Sequence, residues 1–173
     1  MEIHLVRHTT PEVKKGICYG QTDLELATTF EEEAQQTIAL LNKDLKVYAS
    51  PLKRCELLAQ KINSKPILDE RLKELNFGDW EMKKWEEIPK VELDNWMNNY
   101  FTERPSNGET FKEMEIRLRS FLQEIVFQNE DVIVVTHSGV VKLINGILKK
   151  IKKENWMNLK INYGQVISIN ITT

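Results

Sequence analysis

The stretch "DVIVVTHSGVVKLI", residues 131–144, decides the fold. Val132, Ile133, Val134 and Val135 form an unbroken β-branched run. Such side chains favour extended backbone, and a run without polar alternation suits a strand covered on both faces. Strands of that kind lie inside parallel sheets, between layers of helix. The run ends at His137, and "HSGVV" hands over to a helix expected over about 139–150. One strand therefore delivers an imidazole to the mouth of a helix.

The same alternation extends in both directions. Glu2 to Val6 reads as a first strand. Residues 9–28, with Pro11, Gly16 and Gly20, read as a long loop. Phe30, Ala34, Ile38 and Leu41 recur at helical spacing and predict a helix over about 29–42. "LKVYAS", residues 45–50, is a second strand, and Ser50-Pro51 opens a helix expected over about 51–63. A short strand follows near 66–70. Residues 71–109 are the least regular part, with one helix expected within 89–101. Thr110 and Glu113 form a T-x-x-E capping box ahead of the apolar face Phe111, Met114, Leu118, Phe121, Leu122 and Ile125. "QVISINI", residues 165–171, is a final strand. The fold class is α/β with a mostly parallel sheet, and the whole chain, 1–173, reads as one domain.

Bulk composition narrows the function. With a formal net charge of −2, the chain has no basic excess for nucleic acid or an anionic membrane. Cys18 and Cys55 lack CxxC spacing and a histidine ladder, so neither a metal site nor a disulfide is expected. No window reaches the roughly 20 apolar residues of a membrane span, and no signal peptide is evident. A cytoplasmic protein without a cofactor is the expectation.

Ligands of open α/β sheets bind outside the carboxyl ends of the strands. That rule selects residues. Arg7 and His8 end the first strand, Ser50 ends the second with Arg54 one helical turn later, and His137 ends the apolar strand. His4, inside the first strand on the face of Val6, reads as structural. Arginines grouped with imidazoles are costly to hold without an anion between them. A phosphoryl group fits, because guanidinium binds its oxygens in bidentate fashion. Backbone N–H groups at the helix start, near Ser138 to Val140, would add to that anion site. A neutral imidazole beside the arginines would be a nucleophile, its other nitrogen held by an acceptor such as a backbone carbonyl. The leaving oxygen needs a proton. Of Glu74, Asp79 and Glu81 in "LKELNFGDWE", residues 72–81, Glu74 is flanked by Leu72 and Leu75 and would be partly desolvated, as a general acid requires. Asp79 and Glu81 read as solvated charge.

These segments together resemble the histidine phosphatase superfamily, also called phosphoglycerate-mutase-like: Arg7-His8 after an apolar strand, "SPLKR" ending in Arg54, "LKELNFGDWE" and "VVTHSG". The resemblance implies a three-layer α/β/α sandwich and a phosphohistidine intermediate. It implies His8 as nucleophile, Arg7, Arg54 and His137 as the phosphate pocket, and Glu74 as proton donor. "CYGQTDLELA" and "ELNFGDWE" most resemble bacterial alpha-ribazole phosphatases, which cleave a small-molecule phosphate monoester, alpha-ribazole 5'-phosphate, in cobalamin synthesis. On that resemblance Tyr19, Gly20, Gln21 and Ser138 approach the phosphate or substrate, and Glu109 in "PSNGET" is structural. Thr9 stands where the superfamily has the glycine of R-H-G, Ser138 replaces the first of two glycines after the second histidine, and the customary asparagine of the first loop is absent. Residues 83–105, with Trp85 and Trp96, are expected to form a cover over the site, the alternative being a satellite core.

Overall fold

The computed structural model describes residues 1–171. Five strands, β1 (Glu2–Arg7), β2 (Lys46–Ala49), β3 (Ile67–Leu68), β4 (Val132–Thr136) and β5 (Val166–Asn170), form one sheet in the order β3-β2-β4-β1-β5. All pairings are parallel except that of β5 with β1. Strand β4 is buried along its whole length, as its unbroken β-branched run demands.

Alternating side chains of the sheet feed two cores. Ile3, Leu5, Val132 and Val134 face the helices α4 (Phe111–Gln128) and α5 (Ser138–Leu148). Val6, Val47, Ala49, Ile133 and Val135 face α1 (Phe30–Ile38) and α2 (Lys53–Ile62). The architecture is the three-layer α/β/α sandwich. A further helix, α3 (Lys90–Asn99), lies in the region between β3 and α4 and has no fully buried residue. Among the described residues no helix is long and apolar enough to cross a membrane.

Several boundaries differ from expectation for local reasons. Helix α1 ends at Ile38 because Leu40 and Leu41 bond three residues back and Asn42 accepts the Asp44 N–H in a turn. Helix α2 starts at Lys53, leaving Pro51 outside it, with Leu52 as the extended N-cap. The third strand keeps only two ladder residues, both exposed at the sheet edge. The 9–28 loop is tied down by isolated bridges, Pro11 to Leu26 and Ile17 to Lys84. Cys18 and Cys55 are buried free thiols. His4 is hydrogen-bonded through Nδ1 to the Ser168 hydroxyl at 2.7 Å on β5, a structural placement.

The topology fixes where a ligand can enter. After β1 the chain passes to the α1 layer, whereas after β4 it passes to α5 on the opposite face. Strands β1 and β4 are neighbours, so a crevice opens between their carboxyl ends. His8 and His137 stand on its two sides.

Thr110 accepts the Glu113 N–H at 3.1 Å while Glu113 reaches back to the Thr110 N–H at 2.8 Å, completing the capping box that starts α4. Thr110→Ala is expected to lower stability by about 1 kcal/mol, read as a fall in the urea midpoint at unchanged m-value.

Candidate active site

The imidazole of His8 is 2% exposed, and its Nδ1 lies 2.6 Å from the Thr9 carbonyl oxygen. A carbonyl only accepts, so Nδ1 carries the hydrogen and Nε2 keeps its lone pair. Burial, then the Arg54 charge, hold the His8 pKa well below its ordinary value, and the nearby Arg7 acts in the same direction. The ring is therefore neutral at pH 7.

His137 is fully buried, with Nε2 2.8 Å from the Ser50 hydroxyl and the Cys55 thiol 3.5 Å from the same nitrogen. Its ring meets that of His8 edge-on, with centroids 5.2 Å apart. Burial and Arg54 lower its pKa as well.

Arg54, the second residue of α2, is 0% exposed and is the largest fully buried side chain. It donates to the carbonyls of Gly20 at 2.6 Å and Thr22 at 2.9 Å. Arg7 donates to the Ile161 carbonyl at 2.7 Å, and the Tyr163 ring lies 3.8 Å from its guanidinium carbon. The Nε atoms of both arginines are buried without a partner. Among the described residues the hydrogen-bond partners of both guanidiniums are backbone carbonyls, with no carboxylate against either charge. Two cations so placed favour an anion between them.

Glu74 completes the rim. Its Oε2 accepts the Gly139 N–H at 3.0 Å and its Oε1 the Leu75 N–H at 3.1 Å. A Cβ at Gly139 would fall 2.3 Å from Oε1, so glycine there lets the carboxylate reach the α5 terminus. This corrects the expectation for Ser138 to Val140: the Gly139 N–H is already taken by Glu74 rather than open to a ligand.

Arg7, His8, Arg54, Glu74, His137 and Ser138 line one cavity of about 190 Å³, walled further by Ile17, Tyr19, Phe77 and Trp85. Gly20 and Gln21 stand behind it. The Gly20 carbonyl holds Arg54, and a Cβ there would fall 1.9 Å from the Leu75 carbonyl oxygen. Gln21 donates from its side chain to the Glu74 carbonyl at 2.9 Å. Residues 83–105 divide: Trp85 reaches the cavity, while Trp96 sits among Trp80, Trp85, Phe77, Tyr100 and Phe111.

Four residues make contacts that the sequence gives no sign of. Glu81, expected as solvated charge, is half-buried and accepts from the backbone of Gln21, Thr22 and Phe77, pinning the first loop to the acid segment. Asp79 is exposed, as expected, but accepts from Ser106 and Asn107. Arg117 donates to the Arg71 and Glu74 carbonyls and pairs with Glu109 at 2.7 Å, which gives Glu109 its structural place. Tyr163 comes from an irregular segment before β5.

The profile of the histidine phosphatase superfamily (branch 1) matches residues 3–173, and the chain belongs to that superfamily. Membership makes it a phosphatase of small phosphate esters. Among its relatives, adenosylcobalamin/alpha-ribazole phosphatase of Escherichia coli (strain K12) is 28% identical, covering 99% of this chain and 90% of that one. A protein of Hydrogenobacter thermophilus provisionally named phosphoserine phosphatase 2 is also 28% identical, covering 98% and 89%. The crystal structure of the alpha-ribazole phosphatase from Shigella flexneri is similar over 99% of this chain and 91% of that one, with a TM-score of 0.89 and 25% identity.

The buried neutral histidines set a pH dependence. Their folded-state pKa values lie below the unfolded value of about 6.5. Between those limits the unfolded chain binds more protons, so stability is full above about pH 6.5 and is lost as pH falls toward the folded values. Each histidine contributes a slope of up to about 1.4 kcal/mol per pH unit. Carboxylates held low, such as Glu33, Asp69 and Glu81, act in the same sense but only in their own, more acid range. Urea midpoints from pH 8 to pH 5 are expected to fall in the wild type and to flatten in His8→Gln/His137→Gln.

Proposed function

We propose that this protein is a phosphomonoesterase that works through a phosphohistidine on His8, with alpha-ribazole 5'-phosphate as its substrate. The observation that carries the chemistry is the His8 tautomer: the Thr9 carbonyl holds Nδ1–H and leaves Nε2 as a free nucleophile beside two guanidiniums that lack carboxylate partners. In this reading Nε2 attacks phosphorus in line and the bond to the ester oxygen breaks. Glu74 gives its proton to the departing alkoxide, which leaves as the alcohol. Glu74, now a carboxylate, takes a proton from water as that water attacks phosphorus. The P–N bond breaks, inorganic phosphate is released, and the electron pair returns to His8. Arg7, Arg54 and His137 hold the equatorial oxygens. Phosphoryl transfer asks the protein mainly for positioning and charge stabilisation, and here the arginines supply the charge.

The substrate rests on a second feature. Ile17 is shared between the catalytic cavity and an open, mostly apolar groove of about 650 Å³ lined by Pro11, Val13, Ala27 and Met82 together with Glu12, Lys14 and Thr28. An apolar groove beside a phosphate pocket suits an alcohol with an aromatic body, as alpha-ribazole has. The relatives named for alpha-ribazole support the same reading. Residues 83–105 are read as the cover of this single catalytic domain, acting through Trp85.

His8→Ala is expected to abolish an acid-labile phosphoenzyme in single turnover and to lower kcat by at least about 10³-fold, with EDTA leaving the wild type unaffected. Glu74→Gln should lower kcat by about 10²–10⁴-fold for alkyl phosphates and far less for p-nitrophenyl phosphate, whose leaving group needs no proton. A panel comparing alpha-ribazole phosphate with sugar phosphates, nucleotides and phosphoserine decides the substrate. Equal kcat/KM across it would favour a broad phosphatase. Orthovanadate should shift tryptophan emission, and an unchanged spectrum would make the cover a fixed wall.

A further inference from the structure

Each guanidinium of the pocket has its own tyrosine. The Arg7 guanidinium carbon lies 3.8 Å from the centre of the Tyr163 ring, and that of Arg54 lies 5.5 Å from the Tyr19 ring. The two phenol oxygens are 2.8 Å apart. The Tyr163 ring also lies 5.5 Å from that of His8. We propose that the Tyr19–Tyr163 hydrogen bond is a positioning bridge that fixes the separation and tilt of the two phosphate-binding arginines.

The wiring around each arginine supports this. Arg7 is held by one chain segment twice over: the Ile161 carbonyl accepts from its Nη1 and the Tyr163 ring covers its face. The same segment anchors the backbone, since the Gly164 N–H donates to the Arg7 and His8 carbonyls at 3.1 Å. Arg54 is treated in the same way by residues 19–22, through the Gly20 and Thr22 carbonyls and the Tyr19 ring. The two arginines come from different elements, the end of β1 and the start of α2. Like charges repel, and no carboxylate between them sets their spacing. The hydroxyl pair joins the two segments directly.

Simple packing does not account for the pair. Tyr163 is 37% exposed, so its ring is spent on Arg7 and His8 rather than on the core. Cation–π contact holds a guanidinium by its face and leaves its N–H edge free for phosphate oxygens. Burial also pushes the Tyr19 phenol well above its ordinary pKa, so the bridge keeps its hydrogen at working pH.

The inference rests on the phosphate-pocket reading, and the test separates the two. Tyr19→Phe, Tyr163→Phe, the double variant and Tyr163→Leu are compared with wild type in orthovanadate and inorganic phosphate affinity, in kcat and KM for p-nitrophenyl phosphate, and in melting temperature. A net hydrogen bond of about 1 kcal/mol converts to roughly fivefold. Each Phe variant should weaken orthovanadate binding and lower kcat by about that factor, with KM and inorganic phosphate affinity nearly unchanged. The double variant should lose no more than either single one, because both remove the same bond. Tyr163→Leu, which also removes the ring, should lose roughly a further tenfold. Melting temperatures of the Phe variants should stay within about 4 °C of wild type. Losses that multiply in the double variant, or orthovanadate affinity that stays at the wild-type value, would overturn the bridge. Wild-type protein that neither binds orthovanadate nor hydrolyses p-nitrophenyl phosphate would instead overturn the phosphatase reading.

Discussion

A guanidinium with no exposed surface must find its solvation inside the protein. Arg54 is in that position, and the protein gives it two backbone carbonyls, an aromatic face and no carboxylate. Carbonyl dipoles orient the group but do not neutralise it. Removing a charge from water without a partner is among the more costly things a fold can do. The structure accepts that cost at one rim of the sheet, and the consequences spread from there. His8 and His137 are held neutral by their burial and by this same charge. The acidic side chain that lines the cavity, Glu74, is turned toward the Gly139 and Leu75 N–H groups instead of toward the arginines.

That diversion of Glu74 keeps the chemistry open. A carboxylate free to swing onto Arg54 would fill the pocket with the protein's own anion. The α5 terminus, the Leu75 N–H, and Arg117 on the Glu74 carbonyl hold the acid segment in place. Glu81 ties the same segment to the first loop by accepting from Gln21, Thr22 and Phe77. The residues that would touch a phosphate are few, and the set that keeps them apart is larger.

This division also marks what the sequence could reveal. The layers, the parallel sheet and the rim residues were legible because periodicity places side chains on faces and strand ends on one edge. The β-branched run of Val132 to Val135 and the chain order of strands sufficed to bring Arg7, His8, Arg54 and His137 together. The supports were not legible. Tyr163 lies near the far end of the chain from His8, in a segment with no periodic pattern, and its role exists only once β5 has turned back along β1. Arg117 looks like any charged residue of an amphipathic helix. Glu81 looked solvated because one-dimensional context gives no sign of three backbone N–H groups converging on it. The α5 N-terminus is a similar case: the sequence leaves it open to a ligand, and the folded chain fills it with the Glu74 side chain.

The chain's departures from the superfamily's usual text differ in what each position must do. Left-handed backbone occurs at Met82, Asn107, Asn129 and Lys150 among the non-glycine residues, and Thr9 is not one of them. Its contribution to His8 comes from the main-chain carbonyl, which every residue carries. Threonine therefore satisfies the position although its hydroxyl is buried without a partner. Ser138 and Gly139 divide in the same way. Ser138 opens α5 at the cavity wall, where a side chain has room. Gly139 packs against the Glu74 carboxylate, where a Cβ would fall 2.3 Å from an oxygen. Of the two glycines expected after the second histidine, only the second is required by contact, and it is the one this chain keeps.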